Sequence, residues 1–323
     1  MSETAAFPFP ALSAFADGPL ADAASWAWDS LDRDIATMPE GLRPFAESND
    51  WKNALVLPVS VRDQMPRVLA SWLRNLVAGS ALYYVLGLVW CALIYGCFRS
   101  RIFPKGGVPT LSAQLAQIWV SQKALVMYTL MPTIGEWLAE NGLSRCYYSI
   151  EEIGGIVPYL AWTALYLFLI EFCVYWVHRA LHHPLIKWLH ADHHIYNTGD
   201  SLSPWAGLAF HPVDGMMQAS PYVFLLVLIP VHFWTFMVML FATAMWTTNI
   251  HDTLVGKTEP VMGSAYHTLH HTDWVYNYGQ YFIFFDWLFG TLLVPEYPKL
   301  GLSLQGSWAE QDAAEAKAKA KAE

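Results

Sequence analysis

The residues with most chemistry in this 323-residue chain are its twelve histidines, all of which fall between His178 and His271. His178 and His182 stand four apart in HRALHH. His190, His193 and His194 in HADHH follow the spacing i, i+3, i+4, and His267, His270 and His271 repeat it in HTLHH. Residues three and four apart are neighbours on a helix surface, so each group should present its imidazoles on one face, aimed at a common centre. Neutral imidazole ligates iron and zinc well, and eight such ligands exceed what one ion can hold. Two metal ions are implied.

Further candidates flank these motifs. His211, in FHPVD, and His251, in NIHD, sit at the two ends of a long apolar stretch and are read as the ninth and tenth ligands, leaving positions open for oxygen. His183 points about 100° away from His182 round the helix, and His232 sits in the middle of the apolar stretch behind Pro230, so both are read as structural. Metal-bound histidines donate their second ring proton to a carboxylate, carbonyl or water. Asp192, Asp214, Asp252 and Asp273 lie within the motifs to accept it, with solvation or helix capping as the alternative. Glu171 is an acid inside an apolar segment, where charge is costly and often functional; only seven residues separate it from His178, so reaching the interface is the other reading.

The elements that must position these groups are those of a membrane protein. The chain is 55% apolar, 15% aromatic and only 14% charged, with mean hydropathy +0.28, against about 25% charge in a soluble globule. Its sixteen Trp and sixteen Tyr suit aromatic belts at the headgroups. Leu73 to Phe98 runs apolar past the ~20 residues that cross a bilayer, and Ile156 to Val177 is a second such span that ends directly at His178. Ile118 to Leu138 is weaker, interrupted by Lys123, Pro132 and Gly135. Met216 to Ile250 is apolar but would be roughly 52 Å long as one helix, and Pro230 breaks it. A hairpin of two short helices follows, which returns all the histidines to one face of the membrane. Tyr281 to Val294 is too short to span and rich in aromatics, as an interfacial or lipid-pocket segment would be. The expectation is an all-α integral membrane protein with about four spanning helices, including the kinked hairpin, and a cytosolic helical cap that carries the di-metal site.

Three regions are expected: an acidic, largely disordered or peripheral cytosolic segment over 1–65, the membrane-embedded domain over 66–297, and a charged tail over 298–323. Residues 1 to 50 hold nine acids against Arg33 and Arg43, with neither a signal peptide's apolar core nor a transit peptide's arginines. No basic stripe or RNA-binding signature is present, which argues against nucleic acid. Cys91, Cys97, Cys146 and Cys173 form no CxxC pair and read as packing residues. Arg179 and Lys187 flank the clusters, either as positive-inside residues or as a docking point for a negative electron donor.

The three histidine boxes, in this order after paired spans, resemble the fatty acid hydroxylase and sterol desaturase superfamily. HADHHIYNTGDSLSPWAGLAFHPVDG, NIHD and AYHTLHHTDWVYNYGQY, followed by DWLFGTL, look like the plant and algal branch of C5 sterol desaturases. The resemblance runs from about Pro66 to Pro295. It implies insertion of the C5–C6 double bond into a delta-7 sterol, with two irons (zinc being the alternative occupant), O2, and electrons from NAD(P)H through cytochrome b5 and its reductase. It implies His178, His182, His190, His193, His194, His267, His270 and His271 as ligands. Where plant relatives would have HNYGHY, this chain carries Tyr276 and Gln280 in place of two histidines. The chain lacks the HPGG haem signature of a fused cytochrome b5, so the donor is expected to be separate. The final KAKAE matches the KxKxx retrieval form and implies the endoplasmic reticulum membrane with a cytosolic C-terminus. Oxidation of a sterol C4-methyl group or hydroxylation of a fatty acyl chain begins with the same hydrogen abstraction and stays open on the residues. A membrane zinc carrier is the remote reading, because such carriers place ligands within spans or in long histidine-rich loops.

Overall fold

The computed structural model describes residues 29–103, 108–197, 201–252, 254 and 256–296, apart from the side chains of 101 and 102. The first 28 residues and the tail with its KxKxx form lie outside the described residues. Ten helices position the site: α1 Arg43–Val56, α2 Arg67–Cys91 with a π-helical extension Ala92–Cys97, α3 Leu111–Tyr128, α4 Leu130–Glu140, α5 Ile156–Leu181, α6 Trp188–His194, α7 Pro212–Leu228, α8 Phe233–Ile250, α9 Ser264–Asp273 and α10 Phe284–Leu288. Two-residue strands, β1 Cys146–Tyr147 and β2 Val231–His232, pair in parallel.

Among the described residues, three helices are long and apolar enough to cross a membrane: Arg67–Cys97, Ile156–Leu181 and Phe233–Ile250. The hairpin breaks where Pro230 removes a backbone donor, with Ile229 and His232 both extended between α7 and α8. Its first arm differs from the expected fourth span. At 17 residues α7 is only about 26 Å long, and it packs against α3, α5 and α4 rather than standing free. The weak segment splits at Thr129 into α3 and α4, so that Pro132 falls in the first turn of α4, where its missing N–H costs nothing. Gly135 has a steric duty: a Cβ there would lie 2.5 Å from the Phe236 ring of α8.

The core joins α5, α7 and α8 through Tyr166, Ile170, Val174, Tyr222, Leu226 and Phe236. The 3-10 turn Pro204–Leu208 crosses α8 so closely that a Cβ on Gly207 would meet the Thr247 carbonyl at 3.0 Å. Trp205 anchors that turn. Its ring covers Gly87, its Nε1 donates to Gln114 Oε1 at 3.2 Å, and its carbonyl accepts from Tyr83 at 2.9 Å.

The region expected as a loose N-terminal arm is, from residue 35 onward, helical and docked. Phe45, Ala46, Asn49 and Asn53 of α1 are buried against α2 and α4. The reason is ionic. Glu136 of α4, 1% exposed, accepts Lys52 Nζ of α1 at 2.7 Å, pairs with Arg74 of α2 and accepts Asn75 Nδ2 at 3.1 Å. Glu140 pairs with Arg67 at 3.3 Å and accepts from Asn49. Glu136→Ala strands two cations, an error that costs about 3–5 kcal/mol when a buried partner is removed. Thermal unfolding in detergent should show a large drop in midpoint, and Glu136→Gln a smaller one; an unchanged midpoint for the alanine variant would contradict this account.

Candidate metal centre

Nine of the ten expected histidines converge. His178, His182, His190, His194 and His270 form one group, and His193, His251, His267 and His271 another, with the facing nitrogens of each group within 4.8 Å of one another. The groups abut: the rings of His194 and His271 are 4.7 Å apart and those of His190 and His193 5.1 Å. Each HxxHH trio serves both groups rather than one common centre. On a helix the i+4 residue lies about 40° to one side of residue i and the i+3 residue about 60° to the other. His190 and His194 therefore share a group while His193 turns to the second, and His267 and His271 share the second while His270 turns to the first.

Outward hydrogen bonds fix how six of the rings point, whereas Nδ1 of His267 and of His271 is buried without a partner. Nδ1 donates to the Tyr278 carbonyl from His178 at 2.9 Å, to the Tyr276 carbonyl from His270 at 2.7 Å, and to the Thr247 carbonyl from His251 at 2.6 Å. His193 and His194 reach the carbonyls of Ala209 and His271, each at 3.4 Å, and His190 reaches Asp214 Oδ2 at 2.7 Å. With Nδ1 carrying the proton, Nε2 carries a lone pair. Those lone pairs face each other: His178 and His190 at 3.2 Å, His194 and His270 at 3.1 Å, His193 and His251 at 3.2 Å. His182 Nε2 is buried without a hydrogen-bond partner.

Opposed lone pairs at such distances repel unless a cation lies among them. Protons do not suit. Burial, reinforced by neighbouring imidazoles, pushes His182 down to about 2 and His194 down to about 3. Burial, opposed by the bond to the Thr247 carbonyl and aided slightly by His178, takes His251 down to about 4. Burial and neighbouring imidazoles hold His190, His193, His267, His270 and His271 well below the usual range. A set of neutral imidazoles with inward lone pairs and outward protons is the donor set of a metal centre.

His211 is not brought to either group. It is the N-cap of α7, its Nδ1 accepts the Val213 N–H at 3.2 Å, and its ring meets Trp188. Cα–Cβ bonds tilt toward a helix N-terminus, so a residue ahead of α7 leans away from the bundle, whereas His251 at the end of α8 leans back over it. Among the aspartates, Asp214 is fully buried on His190. Asp252 is also buried, but accepts from Trp90 Nε1, Asn249 and the Leu254 N–H. Asp192 is exposed, and exposed Asp273 accepts from Thr272. His183 is exposed, and His232 Nε2 bonds the Tyr148 carbonyl.

Sequence reasoning missed how the loop after α9 is held. Glu171, 4% exposed within α5, accepts the backbone N–H groups of Gln280, Tyr281 and Phe282 at 2.9–3.1 Å. Asp286 accepts those of Tyr278 and Gly279, each at 2.8 Å. Asn277, at φ 57, donates to the carbonyls of Tyr266 and Leu293. Together they fix the Tyr276 and Tyr278 carbonyls that orient His270 and His178. The signals were an acid inside an apolar helix and an Asn in a turn, a residue that tolerates positive φ.

Two outcomes follow. His182→Ala and His251→Ala, one from each group, should each lower the metal bound per chain, read by elemental analysis of protein purified in detergent; full metal in both would remove the site. The metal-free protein should also be acid-sensitive. Below pH ~6.5 the unfolded histidines take up protons that the folded ones refuse, so each such group costs roughly 1.4 kcal/mol per pH unit. For His251 that loss runs from 6.5 down to about 4. Stability should be flat with respect to these groups above pH 7 and fall steeply between pH 6.5 and 5; a flat profile there would contradict neutral, buried imidazoles.

Comparison with known proteins agrees with this construction. The fatty acid hydroxylase family model matches residues 163–291, the stretch that holds every clustered histidine. The chain is 45% identical over 264 residues to a Delta(7)-sterol-C5(6)-desaturase of Nicotiana tabacum, which covers 80% of this chain and 97% of that protein. It is 28% identical over 296 residues to a Delta(7)-sterol 5(6)-desaturase of Gibberella zeae, covering 90% and 79%. It is 35% identical over 170 residues to the Homo sapiens lathosterol oxidase, covering 50% and 56%. No solved structure matches it significantly. With a double imidazole centre inside the matched region and such coverage of the tobacco protein, the chain belongs to the fatty acid hydroxylase and sterol desaturase superfamily, in the family of the plant Delta(7)-sterol-C5(6)-desaturases.

Proposed function

We propose that the protein inserts the C5–C6 double bond into a delta-7 sterol. The observation that carries this is the double imidazole centre fronting a cavity, in a chain that matches 97% of the tobacco desaturase. Two hydrogens leave neighbouring carbons, O2 is consumed with two electrons and two protons, and two waters form. Two irons in the nine-histidine site would supply the one-electron chemistry that lets O2 act on an unactivated C–H bond, with electrons from NAD(P)H by way of cytochrome b5 and its reductase.

The protein's own residues supply position and dryness. His178, His193, His251 and His267 front the cavity, so the four-histidine group contributes three of the four imidazoles nearest the substrate. Val174, Leu208, Phe210 and Ile250 form apolar walls, which exclude water and with it side reactions of the oxidant. Carbonyls behind His178, His193, His194, His251 and His270 hold the Nε2 of those rings in place through turnover. Asp214 does this for His190 through its buried carboxyl oxygen.

α5 and α8 both end at the site, so its helices α6 and α9 form a cap on one face of the membrane, with α7 joining the three spans inside the bundle. Arg179 and Lys187 favour a cytosolic cap under the positive-inside rule. Expression in a sterol-producing cell that lacks C5 desaturation should yield the ultraviolet bands of a conjugated 5,7-diene. Unchanged sterols with the protein present in the membrane would refute the reading, and a hydroxylated or C4-oxidised product would reassign it within the superfamily.

A further inference from the structure

The cavity beneath the histidines carries a hydroxyl cluster that the metal centre does not use. Tyr222 of α7, Thr243 of α8 and Tyr281 of the clamped loop bring their hydroxyls together, with Tyr222 2.9 Å from both Thr243 and Tyr281, and Thr243 also bonded to Tyr281. Tyr222 and Thr243 are 2% and 7% exposed and line the same cavity as His178, His193, His251 and His267. A hydroxyl cluster between apolar helices is costly unless its hydrogen bonds are met.

Here each hydroxyl has a partner, and the cluster has more acceptor than donor capacity. Thr243 Oγ1 donates its proton to the Met239 carbonyl at 2.7 Å. The two tyrosine protons remain to serve three oxygen–oxygen contacts, so the cluster is one donor short and holds a lone pair for an incoming O–H. We propose that the Tyr222–Thr243–Tyr281 cluster is the acceptor for the substrate's ring hydroxyl and sets which carbons lie under the histidines.

This rests on the sterol reading and deepens it. Thr243 precedes His251 by eight residues, roughly 12 Å along α8, and the imidazole leans back over the helix to bond Thr247. In a sterol the carbon bearing the hydroxyl is separated from C5 by a single ring carbon, so a hydroxyl held at the cluster places C5 and C6 between it and the imidazoles. The cavity itself is about 50 Å³, enough for a few waters, so the rings need more room. Tyr128 and Leu208 line both this cavity and an apolar cleft of about 280 Å³ whose walls include Leu82, Leu125 and Leu240 of α2, α3 and α8. Hydroxyl at the cluster and side chain in the cleft is the orientation that leaves no polar group in lipid.

The test compares a delta-7 3-hydroxysterol with its 3-deoxy analogue as substrates for membranes carrying each variant. Wild type should prefer the hydroxysterol by about tenfold in kcat/KM, the worth of one buried hydrogen bond. Thr243→Val and Tyr281→Phe should erase the preference through a raised KM for the hydroxysterol, with bound metal unchanged. Thr243→Ser, which keeps the hydroxyl, should restore it. Radiolabelled sterol binding to metal-free protein should follow the same order. Variants that make diene with the wild-type preference intact would overturn the assignment. Wild type that makes no diene from either sterol would overturn the desaturase reading instead, so the two failures are distinguishable.

Discussion

The structure depends on a repulsion that it must resolve. Imidazoles whose outer nitrogens are committed to carbonyls have no choice about their inner ones, and Nε2 lone pairs set 3.1–3.2 Å apart across three histidine pairs form a stable arrangement only around positive charge. Protons would do in water. In a site where burial drives nearly every ring toward neutrality they are excluded, and what remains is a donor set suited to metal ions. The low local dielectric that makes the arrangement costly when empty strengthens it when filled.

Everything else keeps those outer nitrogens occupied. The acceptors are mostly backbone carbonyls, so the site is only as rigid as the loops that carry them. Each is pinned from a distance: Ala209 by the Trp205 turn set against α2 and α8, Thr247 by α8 itself, Tyr276 and Tyr278 by Glu171, Asn277 and Asp286. Glu171 shows the logic plainly. A carboxylate inside an apolar helix is costly, but three backbone donors aimed at it satisfy its oxygens and tie the loop to α5, the helix that also carries His178 and His182. The Glu136 network does the equivalent for α1, α2 and α4 at the far side of the bundle.

Much of this was legible in the sequence because histidine spacing and apolar run length are local properties. The boxes, the break at Pro230 and the return of His251 to the site follow from helical geometry. The errors lie where direction mattered. His211 and His251 look equivalent as the two ends of one apolar stretch, yet the tilt of side chains along a helix sends one outward and the other inward. The trios looked like single faces because i+3 and i+4 were treated alike, although they diverge by about 100°. Carbonyl acceptors leave no residue-type signature at all, and Asp192 and Asp273 are neighbours of the histidines in sequence but face solvent in the fold. The docking of α1 was hidden because Lys52, Arg74 and Glu136 are far apart in the chain and read individually as solvated charges.

The division of each HxxHH trio between two groups carries a consequence for how the centre assembles. α6 has seven residues and α9 ten, too few for either helix to persist alone in water. With two ions bound, each helix would be gripped at two adjacent points by different ions, so seating the first would set the rotation of both helices and bring the remaining histidines to the second. The two loading events share one ordering cost, paid at the first. Occupancy should therefore be cooperative, with chains that hold both ions or neither outnumbering chains that hold one, and a cell supplying scarce metal would contain a mixture of fully armed and wholly inert enzyme rather than a population of half-active molecules.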